Sequence, residues 1–279
     1  MLLRAEPWFS GEFRCAVNAV FASAVAKPGA HLDRRCHPVH SVTRLGRLTE
    51  LSPASAREDV RAAIERRVSE AMAELKRGRL ECLMLDDAAH LTACGGAIWE
   101  RLVELLEDGS VLGLGVSVRC PADALAALEA GDIHYLELPF NLLDWRWREC
   151  GVVAALNRHP GITVQATDPW LQGLLLTPAE AWPRLAGVEA HAIISRLEEL
   201  ASDFGRASVA DLCLAFVRGQ DWIDVVELGG DAAQTAAEAF RLSIQPPLST
   251  EEAAEVMRHL PRMPEQALDP ACWAAALRA

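Results

Sequence analysis

The sequence has little of what ties a protein to nucleic acid or to lipid surfaces. Basic residues are the minority, since 27 Lys and Arg stand against 39 Asp and Glu, and the formal net charge is -12. Binding to phosphate backbones or to anionic lipid surfaces depends on clustered Lys and Arg. The composition therefore argues against nucleic-acid and membrane-surface partners, and small neutral or cationic molecules suit this charge better.

Long apolar runs and paired cysteine motifs are also missing. No apolar run reaches the length of about 18 residues that a membrane span needs, and the first residues do not read as a secretory signal. We therefore expect a cytoplasmic protein. The eight cysteines are dispersed without CxxC spacing, which indicates reduced thiols. The segment CHPVH at 36–40 lacks the second half of a zinc site, so we expect no bound metal.

What is present is the composition of a globular protein with a substantial core. Hydrophobic residues make up 51 % of the 279 residues and charged residues 24 %. Nothing along the chain separates two halves, so we expect a single domain over residues 1–279.

Short apolar runs rich in Val, Leu and Ile predict buried parallel strands, because each is too short for a helix and is apolar on both faces. These runs lie at residues 39–45, 82–86, 111–116, 134–140, 162–167 and 223–228. Helical patterns between and after them lie at residues 56–77, 96–107, 122–130, 147–158, 191–204, 208–218 and 232–242. In the first helix, Ser55 and Glu58 have capping-box spacing, and Gly78 is expected to end it.

Strands that alternate with helices predict a parallel sheet with right-handed crossovers. Both an open doubly wound sheet and a closed barrel satisfy this pattern. A GxGxxG phosphate turn does not follow the first strand, and GLGVS at 113–117 lies inside a strand, which is the wrong context for one. The pattern therefore favours a barrel.

Five segments, in the same order and with consistent gaps, resemble the aldo-keto reductases. They are GSVLGLGVSVRCPADALAAL from 109, LELPFNLLD from 136, TDPWLQGLLL from 167, ASDFGRASVADLCLAFV from 201 and LSTEEAAEV from 248. The resemblance implies a (β/α)8 TIM barrel with NADP or NAD and the substrate at the carboxyl ends of the strands.

The N-terminal part resembles the same family less closely. AEPWFSGE at 5–12 is similar to the family segment that follows the second barrel strand, so residues 1–4 would be that strand. The barrel would then be incomplete at the N-terminus, with about seven strands instead of eight. An unpaired sheet edge invites pairing, so we expect a homo-oligomer or a protein partner there, a start further upstream, or N-terminal residues that fill the gap.

The resemblance also implies where the catalytic residues fall, and their identities are substituted. The position of the catalytic tyrosine holds Trp8, that of the lysine holds Arg44, and that of the histidine holds Asp86. An indole does not ionise in the accessible range, and an arginine does not deprotonate, so neither supplies the family's proton transfer.

The cofactor positions that the resemblance implies are Ser117, Glu137, Thr167 and Gly229. Ser117 keeps the family residue, whereas Glu137 replaces a glutamine and Thr167 replaces an aromatic residue. Asp231 lies where a helix N-terminus would meet phosphate, and a carboxylate there repels one. The residues that would bind NADP or NAD are thus eroded.

Polar and aromatic residues nevertheless collect at the expected mouth of the barrel. They are Trp8, Arg44, Asp86, Asp87, His90, Glu137, Asn141, Asp168 and Trp170. Two interpretations remain open: a working ligand pocket, or Arg44 paired with Asp86 or Glu137 in a buried salt bridge.

Three functions are compatible with this sequence. The first is an aldo-keto-reductase-like barrel that has lost hydride transfer and serves as a binding, regulatory or partner subunit. The second is a divergent NAD(P)H-dependent oxidoreductase acting on a small carbonyl compound. The third is a barrel adapted to non-redox acid-base chemistry, a lyase or isomerase, with Asp86, Glu137 and Asp168 as acid and base and Arg44 holding an anionic substrate.

Overall fold

The computed structural model describes residues 42–228 and 241–273, and within them six parallel strands form one sheet in chain order. The strands are β1 Val42–Arg44, β2 Cys82–Leu85, β3 Leu114–Ser117, β4 Tyr135–Pro139, β5 Thr163–Thr167 and β6 Val225–Val226. All six predicted strands are confirmed, although β3 begins three residues later than predicted. The further strand predicted at residues 1–4, and the sheet edge that it would leave, lie outside the described residues.

Helices connect successive strands along the described chain. They are α1 Arg57–Leu75, α2 Ala97–Glu107, α3 Pro121–Ala130, α4 Arg146–Glu149, α5 Val152–Leu156, α6 Ala190–Asp203, α7 Val209–Arg218 and α8 Thr250–His259. Short 3-10 helices lie at Ala88–Leu91, Ala93–Gly96, Leu174–Leu176, Ala179–Ala181, Glu265–Ala267 and Pro270–Cys272. Parallel strands joined in order by helices form an incomplete (β/α)8 barrel, as the sequence predicts.

Three local predictions about the helices are wrong. Helix α1 follows Ala56 without a side-chain cap, because the Ser55 hydroxyl instead accepts a hydrogen bond of 2.9 Å from the Ser52 backbone. The same helix ends at Lys76, which adopts a left-handed conformation with φ of 52°, before Gly78 is reached. The helix predicted at 147–158 is broken into α4 and α5, since Gly151 takes φ of 84° between them.

The hydrophobic core lies between the sheet and the helices. Alternate strand residues such as Leu85, Val116 and Leu136 are fully buried there against helix residues that include Ile64 and Leu102. We call this side of the sheet the outer face. None of the helices within 42–228 and 241–273 combines the length and apolar character of a membrane-spanning segment.

The opposite side of the sheet, which we call the inner face, differs from the prediction of strands that are apolar on both faces. Cys82, Met84 and Tyr135 form a small buried cluster of their own there, with Val42 packed against it. Toward the carboxyl ends of the strands, the residues of the inner face are polar. That polar region is the candidate site.

Candidate functional site

A continuous network of polar side chains crosses the inner face at the carboxyl ends of the strands. Each of the six strands, or the chain just after it, contributes one member. The members are Arg44, Asp86, Ser117, Glu137, Gln165 and Glu227, and we call them the inner-face network. They converge because neighbouring parallel strands place inward-facing residues side by side: Ser117 pairs with Glu137, and Glu137 with Gln165.

Arg44 joins one side of this network. Its Nη1 donates a hydrogen bond of 3.0 Å to Asp86 Oδ1, and its Nη2 donates to Glu137 Oε1 and Oε2 at 2.7 and 2.5 Å. Burial alone would lower the pKa of Arg44, but the charges and hydrogen bonds of Glu137 and Asp86 more than offset this, and its pKa is raised. The predicted salt bridge is therefore formed, and it engages both carboxylates.

Glu137 is the centre of the network and is only 4 % exposed. Besides the Arg44 guanidinium, it accepts a hydrogen bond of 2.8 Å from the Ser117 hydroxyl and one of 3.0 Å from Gln165 Nε2. A buried carboxylate is tolerated only when it is paired and hydrogen-bonded, and Glu137 meets both conditions.

Gln165 links this centre to a second carboxyl group. Its Nε2 also donates a hydrogen bond of 2.7 Å to Glu227 Oε2. Burial is the main reason why the pKa of Glu227 is raised, and the charge of Glu137 adds to it while that of Arg44 opposes it. The Oε1 atom of Gln165 is buried without a hydrogen-bond partner in the described part of the chain.

Asp168 lies beside this end of the network, directly after β5. It adopts φ of 58°, and its Oδ1 accepts a hydrogen bond of 3.3 Å from the Gln172 backbone. Burial raises its pKa, while hydrogen bonds from Gln172 oppose the rise. The charge of Asp168 in turn contributes to the raised pKa of Glu227, so the two carboxyl groups are electrostatic neighbours.

Most of the other residues predicted at the mouth of the barrel or at the cofactor positions make local structural contacts. Asp87 accepts a hydrogen bond from the Ala89 backbone, and Asn141 accepts one from the Leu143 backbone. Trp170 Nε1 donates to the Ala210 carbonyl, Thr167 Oγ1 donates to the Leu138 carbonyl, and His90 lies in the 3-10 helix Ala88–Leu91. Trp8 and Gly229 lie outside the described residues, as do the CHPVH segment and Asp231.

Gln165 and Glu227 were not predicted from the sequence to belong to the site. The signal that could have found them is a polar residue inside an apolar strand, in register with a polar residue of the neighbouring strand. Gln165 stands next to Glu137 in this way within the segment TVQAT, and Glu227 follows β6 two residues after Val225, the register partner of Gln165.

No protein-family model and no curated protein sequence matches the chain. Solved structures do. An aldo-keto reductase of Bacillus halodurans in its holo form superposes with a TM-score of 0.61 at 18% identity, over 82% of this chain and 74% of that one. The apo form of the Bacillus halodurans enzyme gives a TM-score of 0.63 at 19% identity, over 75% and 72% of the two chains.

A glycerol dehydrogenase of Gluconobacter oxydans gives a TM-score of 0.55 at 18% identity, over 73% of this chain and 66% of that one. The chain has the aldo-keto reductase fold. At these identities the comparison establishes the architecture, and the chemistry has to be argued from the side chains.

The side chains at the implied nicotinamide positions of the aldo-keto reductase fold do not fit that cofactor. Both oxygens of Glu137 are bonded to Arg44, and the Ser117 hydroxyl donates to Glu137. A carboxamide needs both donors and acceptors, whereas an ionised carboxylate only accepts. The side chains of Arg44, Ser117 and Glu137 are instead hydrogen-bonded to one another.

The tyrosine of the chain lies in the apolar cluster of the inner face. Tyr135 is its single tyrosine, and it is buried with Cys82 and Met84 on the inner face, two residues before Glu137 toward the amino end of β4. Burial, with the charge of Glu137, raises the pKa of the neighbouring Cys82 thiol to about 12, which keeps it protonated. Among the described residues, no His, Cys, Asp and Glu group is arranged to hold a metal ion.

A separate cleft of about 310 Å³ lies at the other end of the strands. Its lining includes His134, just before β4, together with His159 and Ile162, which precede β5. Because it opens at the amino ends of β4 and β5, it is distinct from the inner-face network. In barrels of this kind, ligands bind at the carboxyl ends.

Proposed function

We propose that the chain is an aldo-keto-reductase-like barrel protein that has lost standard hydride transfer and serves as a binding, regulatory or partner subunit. The observation that carries this proposal is the position of Arg44, held between Asp86 and Glu137 by hydrogen bonds of 2.5 to 3.0 Å. The inner-face network would then bind a small molecule instead of assembling a reductase site.

The reason lies in the role of the catalytic lysine in an aldo-keto reductase. That lysine lowers the pKa of a tyrosine so that its hydroxyl can protonate a carbonyl oxygen. At the matching position Arg44 stays charged, and both terminal nitrogens of its guanidinium donate hydrogen bonds to carboxylates. The charge of Glu137 raises the pKa of Glu227 more than the charge of Arg44 lowers it, so beside its carboxylate partners Arg44 does not produce a net lowering of the pKa of that acid.

Titration with NADPH and NADH, followed by tryptophan fluorescence, tests the proposal on the full chain. We expect no saturable quenching up to millimolar cofactor and no oxidation of NADPH when aldehydes or ketones are added. An active reductase of the same fold, measured in parallel, shows that the assay detects binding. Saturable cofactor uptake together with reduction of any aldehyde or ketone would favour the divergent oxidoreductase instead.

A second candidate function is non-redox acid-base chemistry, and the carboxyl groups at β5 and β6 favour it. Burial raises the pKa of both Asp168 and Glu227, which moves them toward the range where a carboxyl group can donate and accept protons. Exchange of carbon-bound hydrogen in deuterated water, followed by NMR on small hydroxy and keto acids, tests this candidate. Enzymatic exchange that Asp168→Asn abolishes would support it, and absence of exchange would exclude it for those acids.

A further inference from the structure

The chain leaves β1 directly after Arg44, at a turn that begins with Leu45. Leu45 is 2 % exposed, and its backbone N–H donates a hydrogen bond of 2.9 Å to the Met84 carbonyl of β2. The next residue, Gly46, takes φ of 75°, a left-handed conformation that favours glycine. Arg44 therefore reaches the inner-face network from the end of a strand of only 3 residues.

Arg67, which lies on α1, binds this turn with both terminal nitrogens of its guanidinium. Its Nη1 donates a hydrogen bond of 2.8 Å to the Leu45 carbonyl, and its Nη2 donates one of 2.8 Å to the Arg47 carbonyl. The Arg67 side chain is 11 % exposed, and the Glu50 carboxylate orients it by accepting from Nε at 3.1 Å and from Nη2 at 2.8 Å. One guanidinium thus joins the carbonyls on both sides of Gly46.

The contact between Gly46 and this guanidinium is close. A Cβ added to Gly46 would lie 2.9 Å from Arg67 Nη1, which is shorter than a van der Waals contact. Glycine is therefore favoured here both by its positive φ and by the space that the guanidinium occupies. A lysine could not replace Arg67, because an ammonium lacks the planar fork that reaches two carbonyls and a carboxylate at once.

These contacts bear on the candidate site because the turn begins one residue after Arg44. The Leu45 N–H is bonded to β2 and its carbonyl to Arg67, so the peptide groups that follow Arg44 are fixed. The Arg44 side chain has to meet Asp86 and Glu137 at the same time, at distances of 2.5 to 3.0 Å. Hydrogen bonds weaken steeply when distance or angle changes, so this double contact depends on where the backbone places Arg44.

We propose that Arg67 is a positioning residue of the inner-face network, which fixes the turn after β1 so that the Arg44 guanidinium reaches both of its carboxylate partners. It acts through the backbone of the turn. This inference goes beyond the proposed function, because it states what places Arg44 and applies to a binding site and to a catalytic site alike.

Carbon-detected NMR of the arginine side chains in the full chain tests the proposal. A guanidinium whose two terminal nitrogens are bonded to different carboxylates rotates slowly about its C–N bonds, so we expect two separate Nη signals for Arg44. Arg44→Met assigns these signals by removing them. In Arg67→Lys, which keeps the charge and loses the fork, we expect the two signals to merge into one. Two separate signals in Arg67→Lys, or a single signal in the unmodified chain, would overturn the proposal.

A second variant changes the same contact from the side of the turn. Gly46→Ala places a methyl group against Arg67 Nη1, and we expect the same merging of the Arg44 signals. Arg66→Lys is the matched control, because Arg66 pairs with the same Glu50 at 3.2 Å but is 56 % exposed, and we expect it to leave the two signals separate. Merging in Arg66→Lys as well would show that the surroundings of Glu50, and not the turn, control Arg44.

Leu212→Ala separates positioning from a general loss of stability. Leu212 is 0 % exposed on α7, a helix that packs against α6 and β6, and its truncation leaves a cavity there. We expect two separate Arg44 signals in this variant, and a single signal would mean that any destabilised core frees Arg44, which would overturn the proposal. If Arg67→Lys does not fold, Gly46→Ala decides, because separate signals in that variant contradict the proposal equally.

Discussion

The two faces of the sheet are built from alternate residues of the same strands, yet they differ in the interactions that their side chains make. On the outer face, Leu85, Val116 and Leu136 are fully buried against helices. The inner face changes from apolar to polar along β4, where Tyr135 lies in an apolar cluster and Glu137 lies in a polar network. Packing alone accounts for the outer face, whereas the inner face also contains charges taken out of water.

This difference separates stability from function. A buried ion pair replaced by well-packed apolar groups is often neutral or stabilising, so the inner-face network is a weak source of stability as a whole. Removing one member is another matter, because its partners are left buried and unpaired. The outer face should therefore respond to lost volume, and the inner face to lost charge balance.

The largest effect is expected from a cavity on the outer face. Leu136→Ala removes a side chain that is 0 % exposed, and we expect the free energy of unfolding to fall by about 4 kcal/mol. Urea denaturation followed by circular dichroism measures it. Leu112→Ala is the matched control, since Leu112 is 43 % exposed and its truncation should cost well under about 1 kcal/mol. Similar losses in the two variants would contradict the placement of the core.

A somewhat smaller loss is expected when the inner face loses its cation. Arg44→Met leaves the buried Glu137 carboxylate without its guanidinium, and we expect a loss of about 3 kcal/mol in the same assay. The double variant Arg44→Met with Glu137→Gln should recover part of that loss, because the unpaired charge is gone. Arg61→Met, in an exposed pair with Glu65, should cost less than about 1 kcal/mol. No recovery in the double variant would show that Arg44 acts through packing alone.

The next effect concerns space on the inner face, at Gly115 of β3. An added Cβ there would meet Tyr135 Cβ at 2.9 Å and Met84 Cε at 3.1 Å. We expect Gly115→Ala to lower the free energy of unfolding by about 2 kcal/mol, because a packed neighbour has to move. Gly113→Ala is the control on the same chain segment, since its nearest contacts are at an ordinary 3.5 Å. An equal effect at the two glycines would contradict close packing of the inner face.

Much of the fold was predictable because outer-face residues dominate the pattern of each strand. Runs such as CLML at 82–85 are apolar throughout, and their spacing by helices indicates parallel strands. Helix ends were less predictable. The Ser55 hydroxyl accepts a hydrogen bond from the Ser52 backbone instead of capping α1, and Lys76 adopts a left-handed conformation. The energy that decides between such local alternatives is only that of a single contact, so the sequence pattern does not reveal which one is adopted.

The candidate site was predictable only in part. Arg44, Asp86, Ser117 and Glu137 stand at positions that the resemblance marks, and the structure brings them together. The place of Gln165 in the site could not be predicted, because one amide within a strand gives no motif. Only the register between strands shows which polar residues lie side by side. Contacts between residues far apart in sequence can be recognised only once the fold is known.

The smallest predicted effect distinguishes the inner face from the surface by the sign of a pH dependence. The pKa of Glu227 is raised, first by burial and then by the charge of Glu137. The folded chain therefore binds more protons there than the unfolded chain does, and this group's contribution to stability is lost as pH rises through its raised pKa. Glu50 has the opposite shift: burial raises its pKa, but hydrogen bonds, including one from Arg67, and the charges of Arg67 and Arg66 together lower it overall. Its contribution is present above the unfolded pKa and is lost as pH falls.

Urea midpoints measured between about pH 4 and pH 7 for Glu227→Gln and Glu50→Gln test this contrast. Relative to the unmodified chain, Glu227→Gln should gain stability as pH rises, because it lacks a group that the folded state prefers to keep protonated. Glu50→Gln should lose relative stability over the same interval, because it lacks a carboxylate that the folded state prefers to keep ionised. Two slopes of the same sign would mean that the carboxyl group after β6 is as well solvated as one on the surface, and the inner-face network would then not hold Glu227 out of water.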